Sequence, residues 1–312
     1  MIRAFFFVKA KVASWQLYLL CITVLSLPST NASAWGIVGH RIVCEVAYDL
    51  IRPETRERVD SLTAAFSKPN GKTFKQFTDA CHFADTARHN AREGFSRWTE
   101  YAKYDHWHYV NLPRNATKLT SEVVNCKQDC VLHAIEEHGA IFSNQEMPKS
   151  RRGEALILLA HWVADIHQPM HASFADDRGG SSIKLNDTLG YGRHLHSAWD
   201  AGIIKAHRGS RSLRRYIKTQ TALAREEQEL WQKDVAPITW AQESFDIVTS
   251  PGARYCQWRE VKEHSGYSER RCEAITSAPL IDASYVSRIA PLLERRLRQA
   301  GVRLALMLDK RL

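Results

Sequence analysis

The 312-residue sequence lacks several features that define large classes of protein. Beyond residue 34 it has no apolar segment long enough to span a bilayer, and it has no internal repeat or low-complexity linker that would mark a domain boundary. Its 7 cysteines show no CxxC spacing, which argues against sulfur ligands for zinc. With 44% hydrophobic and 25% charged residues, the chain is neither disordered nor fibrous. These absences predict one globular domain without stable membrane association.

The first residues have the pattern of a cleaved secretory signal. Three basic residues precede an apolar run at 15–27, and small residues at 32–34 form a cleavage motif. The run is shorter than the roughly 20 residues of a spanning helix, which argues against a membrane anchor. We therefore expect a signal peptide over residues 1–34, a mature domain over residues 35–312, and secretion to the extracellular or periplasmic space.

Removal of the leader changes the charge and the cysteine count. The whole chain has a net charge of +9, and the leader contributes three basic residues and no acidic one, so residues 35–312 carry +6. A basic surplus favours anionic partners such as phosphodiesters. Six cysteines remain, which suggests up to three disulfides in an exported chain. The short spacing of Cys126 and Cys130 suggests that these two close a small loop.

The spacing of apolar residues predicts an all-α fold with a single, mostly helical domain. In the last predicted helix the arginine-rich faces are interpreted as solvated. The segment at 178–186 alternates Ile183 and Leu185 with polar residues after a glycine pair, which predicts a short β-hairpin beside the helices. The predicted helices cover residues 39–51, 54–66, 74–88, 132–143, 153–167, 196–206, 210–232, 240–248 and 285–308.

The densest candidate chemistry lies in two histidine–aspartate pairs. His161 and Asp165 are four residues apart on a predicted helix, so the imidazole and the carboxylate share one face and can bind one metal ion. His196 and Asp200 repeat this spacing. A single pair of this kind is more often a surface salt bridge, but two pairs in a histidine-rich exported chain favour a metal site. After the first pair, a proline is expected to end the helix, so His171 can point elsewhere.

Further candidates lie upstream. Asp85 and Arg88 share a helix face, which in isolation indicates an ordinary salt bridge. His106 and His108 lie in a β-prone run, and would share one side if that run were extended.

The expected new N-terminus adds a different kind of ligand. Cleavage would free the α-amine of Trp35, whose pKa of ~7.7–8 lets it lose a proton and coordinate zinc. Glycines at 36 and 39 would let the chain curl so that His40 reaches the same ion.

Together these segments resemble the zinc-dependent single-strand nucleases of the S1/P1 type, which are related to bacterial zinc phospholipase C. The resemblance spreads over nearly the whole mature chain. It rests on Trp35-Gly-x-x-Gly-His40, Ala84-Asp85-x-x-Arg88, His108-Tyr-Val, His161-x3-Asp165-Ile-His-Gln-Pro-Met-His171, Arg178-Gly-Gly and His196-x3-Asp200.

The resemblance implies three Zn²⁺ ions per chain in a helical fold of the phospholipase C/nuclease type. It also implies that Asp165 and Arg88 serve catalysis, Arg88 by neutralising charge that develops on the phosphate. The implied ligands are Asp85, His108 and His161 for one ion, the amine and carbonyl of Trp35 with His40 for a second, Asp165 as a bridge between these two, and His171, His196 and Asp200 for the third.

The implied activity is hydrolysis of single-stranded DNA and RNA to 5′-phosphate products by a monomer, with 3′-nucleotidase activity on nucleotides as a secondary expectation. Tyr109 lies where the family has an aromatic residue that stacks on a base; alternatively it is a packed core tyrosine. Fungal members have Asp where this chain has Asn111, and Asn where it has Ser181. These departures leave the metal chemistry intact and put the base preference in doubt.

Two alternatives remain open at this stage. The first is a zinc phospholipase C that acts on phospholipid head groups. Against it, that relative has Glu where this chain has Asp200, and its first histidine lies further from the terminal tryptophan than His40 does. The second is a secreted zinc-binding or nucleic-acid-binding protein without turnover, which nine catalytic-type ligands without cysteine argue against.

Overall fold

The computed structural model describes residues 35–124, 126–186, 190–233, 236–262, 268–275 and 279–312, all of which belong to one compact unit. The expected leader, residues 1–34, lies outside the described residues. Among the residues that are described, none of the helices combines the length and the apolar character that crossing a bilayer requires.

The described residues form a mostly helical domain, which confirms the predicted fold class. The α-helices are α1 Ile37–Leu50, α2 Pro53–Ala65, α3 Phe77–Ala80, α4 Phe83–Arg92, α5 Ser121–Val124, α6 Val131–Ser143, α7 Lys149–Ile166, α8 Leu195–Ser197, α9 Ile203–Arg208, α10 Leu213–Glu227, α11 Pro237–Val248 and α12 Ala283–Arg311. The strands are β1 Val110–Leu112, which pairs in parallel with β2 Ala172–Phe174, and β3 Cys256–Lys262, which pairs antiparallel with β4 Ser268–Ala274.

Two predicted helices are more irregular than their spacing indicates. The helix expected at 74–88 is divided into α3 and α4 at Cys81, whose sulfur is bonded to Cys44 on α1. The helix expected at 196–206 contains a π-helical turn, Ala198–Gly202, between α8 and α9. Hydrophobic spacing indicates which face of a helix is buried, but it does not report such local interruptions.

The hairpin prediction at 178–186 is only partly right. Within the described residues this segment makes one isolated antiparallel bridge, between Lys184 and His194, rather than paired strands. The extended hairpin of the protein is instead β3–β4, closed by the disulfide between Cys256 and Cys272. The glycine pair serves another purpose: Gly179 has φ +63, and its carbonyl faces His196.

Helix α7 lies at the centre of the fold. Every residue from Gly153 to Ile166 is buried, and the helix packs against α1, α2, α4, α6, α11 and α12. Such all-round burial explains its near-continuous apolar sequence. A Cβ at Gly153 would overlap the carbonyl of Leu62 on α2, so glycine is required for this close packing. The polar exceptions near the end of α7 are His161 and Asp165, and α7 thus carries two candidate ligands into the interior.

The arginines of α12 correct one interpretation. Arg296, Arg298 and Arg303 are buried rather than solvated. Glu243 of α11 pairs with both Arg296 and Arg303, and Glu227 accepts a hydrogen bond of 2.7 Å from Arg298. A buried arginine needs an anionic partner, and these partners come from distant segments, so helical spacing alone could not reveal them.

Three disulfides join the six cysteines of residues 35–312, as the even number suggested. They are Cys44–Cys81, Cys126–Cys130 and Cys256–Cys272. The Cys126–Cys130 loop was predicted. The Cys44–Cys81 bond links α1, four residues after His40, to the turn that lies four residues before Asp85.

Replacement of Gly301 by Ala is expected to destabilise the fold. Gly301 lies where α12 crosses α1, and its Cβ would overlap the side chain of Val46. Because such overpacking forces helices apart, we expect a loss of about 1–3 kcal/mol in the free energy of unfolding, measured by chemical denaturation. The matched control is Gly252→Ala, where the nearest atom to the new Cβ is 3.9 Å away. Equal stabilities of the two variants would contradict the close packing of α1 on α12.

Candidate metal centre

Three groups of histidine and aspartate side chains converge in the interior. In each group the potential ligand atoms lie within 4.8 Å of one another. The groups are His40, His161 and Asp165; Asp85, His108 and His161; and His171, His196 and Asp200. Eight of the nine metal ligands predicted from the sequence therefore meet here, from six separate segments of the chain.

The first two groups share the end of α7. Nε2 of His161 lies 3.1 Å from Oδ2 of Asp165 and 3.1 Å from Nδ1 of His108. Nδ1 of His108 is 2.9 Å from the same carboxylate oxygen and 3.7 Å from Asp85. The ring of His40 stacks on that of His161 at 3.9 Å, and its Nε2 lies 3.4 Å from Oδ1 of Asp165. One carboxylate, that of Asp165, thus contacts both groups.

The third group is built from the segment after α7, from α8 and from the π-helical turn that follows α8. The chain leaves α7 at Ile166, and a short 3₁₀-helix, Pro169–His171, turns His171 toward His196. The two Nε2 atoms are 3.2 Å apart, and Asp200 lies 3.8 Å from the first and 3.5 Å from the second. The prediction that the proline redirects His171 is confirmed.

Backbone carbonyl groups orient three of the imidazoles. Nδ1 of His161 is 2.8 Å from the carbonyl oxygen of Cys81, Nδ1 of His171 is 2.5 Å from that of His108, and Nδ1 of His196 is 2.6 Å from that of Gly179. A carbonyl only accepts, so each Nδ1 carries the proton and each Nε2 presents a lone pair to the centre. This is the arrangement that orients histidine as a metal ligand.

Several buried polar atoms of the centre lack a partner among the described residues. Within that part of the chain, Nε2 of His40, Oδ1 of Asp165 and Oδ2 of Asp200 make no hydrogen bond. In the third group, the Nε2 lone pairs of His171 and His196 face each other. Unpaired buried acceptors are costly and neighbouring lone pairs repel, so the donor set fits a bound cation. Imidazole and carboxylate ligands suit Zn²⁺ in particular.

Burial controls the protonation of these groups. Desolvation holds the pKa of His40 and of His108 well below the usual value and lowers that of His196 to about 4. His161 is the exception: burial alone would lower its pKa, but the charges of Asp165 and Asp85 raise it. Burial also raises the pKa of Asp200 to about 7, so its charge is unfavourable without a nearby cation. The low pKa values of His40, His108 and His196 keep these imidazoles neutral, as metal binding requires, whereas a metal ion would have to displace the proton from Asp200.

Trp35, the ninth predicted ligand, is held against the same centre. Its indole is fully buried and donates a hydrogen bond of 2.8 Å to the carbonyl of Ala164, beside Asp165. The backbone N–H of the next residue, Gly36, donates a hydrogen bond of 3.0 Å to the carbonyl oxygen of Asp200. A Cβ at Gly39 would lie 2.8 Å from the Trp35 Cβ, so glycine permits this packing one residue before His40.

Arg88 brings a positive charge to the centre. It lies on α4, is 8% exposed, and donates a hydrogen bond of 2.9 Å to Asp85. The i,i+3 salt bridge expected from the sequence is thus present. The charge of Arg88 also acts on His108. Burial is the largest cause that lowers the pKa of His108, and the charge of Arg88 is the second largest.

The predicted substrate residues are partly exposed and lie close in the sequence to candidate ligands or to groups that orient them. Tyr109 and Asn111 follow His108, and Asn111 lies in β1 opposite Ser173 of β2. Ser181 follows the glycine pair whose carbonyl orients His196. His106 and His108 would share one side only in an extended run, but residues 105–108 form a turn. His106 is exposed in this turn and pairs with Asp129.

Sequence reasoning missed two buried polar groups in the segment that follows Asp165, one of which contacts a candidate ligand. The side-chain amide of Gln168 donates a hydrogen bond to Oδ1 of Asp200. Its Oε1 accepts a hydrogen bond of 2.6 Å from the backbone N–H of Met170. Nδ1 of His167 lies 2.7 Å from the carbonyl oxygen of Val163, and its Nε2 accepts a hydrogen bond of 2.9 Å from Arg303. These residues belong to the quoted His-Gln-Pro-Met segment, but their partners are 32 and 136 residues away, so no local spacing identifies them.

Replacement of Gln168 by Leu is expected to weaken the third group. The variant keeps the size of the side chain but removes the amide that orients Asp200. Because groups that orient a ligand typically change metal affinity 10–100-fold, we expect a loss of about that size for one ion only. Competition with a metal chelator measures it. Gln242→Leu on α11, whose amide bonds Asp246 at the surface, is the control; equal effects of both variants would contradict this role.

The fold and the centre together define a class of protein: a mostly helical domain whose buried His/Asp groups can hold several metal ions for phosphate-ester hydrolysis. Residues 35–312 match the family model described as S1/P1 Nuclease. The chain belongs to this family. It is therefore a nuclease, as the motif order predicted, and the phospholipase C alternative is not favoured. The three ligand groups agree with the expected three ions.

Curated relatives carry matching names. Endonuclease 1 of Arabidopsis thaliana is 26% identical over 308 residues, covering 94% of this chain and 92% of the relative. Endonuclease 3 of the same plant is 28% identical over 338 residues, with 95% of each chain covered. Nuclease P1 of Penicillium citrinum is 24% identical over 176 residues, or 53% of this chain and 57% of the relative.

Proposed function

We propose that the protein is a secreted, monomeric, zinc-dependent endonuclease that hydrolyses single-stranded DNA and RNA to 5′-phosphate products and has 3′-nucleotidase activity. The observation that carries this proposal is the convergence of three His/Asp groups, two of them joined by Asp165, in a chain of the nuclease family. Secretion is supported by the signal pattern of residues 1–34 and by a family match that starts directly after it, at Trp35.

The proposed metal assignment follows the three groups. Asp165 would bridge the first two ions, because its two oxygens face His161 and His40 separately. The amine and carbonyl of Trp35 would complete the second set, since cleavage would free that amine beside His40. The proposed ligands are Asp85, His108, His161 and Asp165 for the first ion, Trp35, His40 and Asp165 for the second, and His171, His196 and Asp200 for the third.

The chain's own residues would bind and orient the substrate. When bound, zinc supplies Lewis acidity and lowers the pKa of water to about 7. Arg88, fixed by Asp85 and nearly buried, would neutralise charge that develops on the phosphate, where low solvent exposure strengthens the interaction. Tyr109 would stack on a base, which tolerates any sequence. Asn111 and Ser181 would contact the base edge.

The test is hydrolysis by the purified protein that begins at Trp35. Single-stranded DNA, RNA and 3′-AMP are incubated with the enzyme, with a chelator, and with chelator followed by Zn²⁺. We expect hydrolysis of all three, loss with the chelator and recovery with zinc, together with about three zincs per chain by metal analysis. End-labelled products should carry 5′-phosphates.

Absence of chelator-sensitive hydrolysis of all three substrates would refute the proposal. Release of phosphocholine from phosphatidylcholine vesicles without nuclease activity would replace it with a phospholipase C. Tightly bound zinc with no turnover of any substrate would indicate a binding protein.

A further inference from the structure

The basic surplus of the chain is concentrated in one segment. Residues 201–225 contain seven Lys or Arg and no Asp or Glu. Residues 35–312 carry +6 in total, so all the remaining residues of that region sum to −1. The segment covers α9, the turn that follows it, and α10 as far as Arg225; the last two residues of α10 are Glu226 and Glu227. The surplus is therefore a local surface feature rather than an average over the protein.

Among the described residues, several of these cations have no anionic partner. Lys205, Arg214 and Lys218 are exposed, and none forms an ion pair in the described part of the chain. Arg225 differs, because it pairs with Asp49 of α1. Unpaired cations on one surface create a positive potential that attracts polyanions.

The cations border a groove between α1 and α10. This cavity of about 680 Å³ is lined by Arg214, Lys218 and Arg225 from α10 and by Arg41 from α1, with Ile217 among its apolar residues. Glu45 and Asp49 also line it, but each already pairs with a cation of the groove: Glu45 lies 3.3 Å from Arg41, and Asp49 is bound by Arg225. The excess charge on the groove is positive.

A second cavity lies at the N-terminal end of α1. It measures about 290 Å³ and is lined by Lys205 and Arg208, by Ile37, and by Asp200 of the third ligand group. Ile37 and Arg41 are one turn apart on α1, so the two cavities follow each other along one face of that helix. A line of cations therefore begins next to a candidate metal ligand and extends away from it.

We propose that this basic groove, defined by Arg41, Lys205, Arg208, Arg214 and Lys218, binds the sugar–phosphate backbone of the single-stranded substrate at a distance from the cleaved bond. The proposal rests on the proposed nuclease function and deepens it. From Ile37 to Asp49, α1 is about 18 Å long at 1.5 Å per residue, which offers space for several phosphates. Long strands would use the groove, and mononucleotides would not reach it.

The test is the double variant R214Q/K218Q, which removes two exposed charges without emptying the core. Its affinity for a fluorescent phosphorothioate 20-mer is measured by anisotropy on the zinc-loaded protein over a range of salt concentrations. Each lost phosphate contact lowers the slope of log K against log salt by ~0.7, so we expect a decrease of about 1.4. The KM for long single strands should rise, while kcat and KM for 3′-AMP should stay unchanged.

Two controls separate the groove from general charge and from folding. K72Q/K149Q removes the same charge at two exposed positions that do not line either cavity, and should bind the 20-mer like the wild type. Lys149 begins α7, about 24 Å along that helix from Asp165. R214K/K218R keeps both charges and should restore binding.

Three results would overturn the proposal. The first is an unchanged salt slope in R214Q/K218Q, and the second is an equal loss of strand affinity in K72Q/K149Q. The third is unchanged strand binding by R214Q/K218Q together with lost binding to phosphatidylserine vesicles, which would assign the groove to membranes. Because anisotropy does not require turnover, an inactive wild type that still binds the strand through this groove would contradict the nuclease proposal alone.

Discussion

Asp165→Asn is expected to lower turnover on single-stranded DNA by about a thousandfold, equivalent to about 4 kcal/mol of transition-state stabilisation. The reason is the position of this carboxylate between two ligand groups. Oδ2 lies 2.9 Å from His108 and 3.1 Å from His161, and Oδ1 lies 3.4 Å from His40. An amide of the same shape loses the negative charge and turns N–H donors toward one of the two groups.

The metal content should change with the activity. We expect the zinc-loaded variant to hold about one ion instead of three, because the third group does not depend on Asp165 as a ligand. Asp200→Asn is the complementary variant and should lose the third ion alone. Metal analysis after gel filtration distinguishes the two patterns, which a general folding defect would not produce.

The fold itself should survive the Asp165 substitution. Asp165 is fully buried, and burial raises its pKa, so its charge is unfavourable in the metal-free protein. Thermal unfolding in a chelator should therefore show no loss of stability for the variant. Asp246→Asn, on the exposed face of α11, is the charge-matched control. A variant that keeps three zincs and wild-type turnover would show that Asp165 is not the bridge.

An extra residue before Trp35 is expected to remove one zinc and to lower activity about a hundredfold. Extension converts the α-amine into an amide, whose nitrogen has no lone pair to give to a metal. The structure leaves little freedom to compensate. The indole is anchored to Ala164 at 2.8 Å, and the next peptide is anchored to Asp200 at 3.0 Å, so Trp35 cannot shift to restore the contact.

Two proteins made from one fusion check this expectation. A protease releases either a chain that begins at Trp35 or a chain that begins at Ala34, and the two differ by a single small residue. Equal unfolding temperatures in a chelator control for folding. We expect the two to differ in zinc content and in hydrolysis of 3′-AMP; three zincs and full activity in the longer chain would exclude the amine as a ligand.

Much of the site was predictable because its ligands obey local spacing rules. His161 with Asp165, and His196 with Asp200, are four residues apart, so helical geometry alone places each pair on one face. The direction of His171 followed from the conformational restriction that Pro169 imposes. The helices were predictable for the same reason, since apolar periodicity reports which face is buried.

Other features depend on contacts between distant segments. The buried arginines of α12 were interpreted as solvated, because nothing near Arg296 or Arg303 in the sequence indicates that Glu243 will face them. The hairpin was expected at 178–186, where alternation is visible, whereas the extended one lies at 256–274 and is stabilised by a disulfide. The +6 charge was visible in the composition, but its relation to a groove between α1 and α10 was not.

By itself the sequence determined the kind of chemistry, since the residue types, their order and their spacing within each helix specify metal ligands of one nuclease family. Only the tertiary structure decided which pairs share an ion site, which carbonyl orients each imidazole and where the cations gather. The physical reason is the distance along the chain over which each kind of information acts. Side-chain spacing acts over one or two helical turns, whereas Asp165 meets His40 and His108 only because α7 is packed between the segments that carry them.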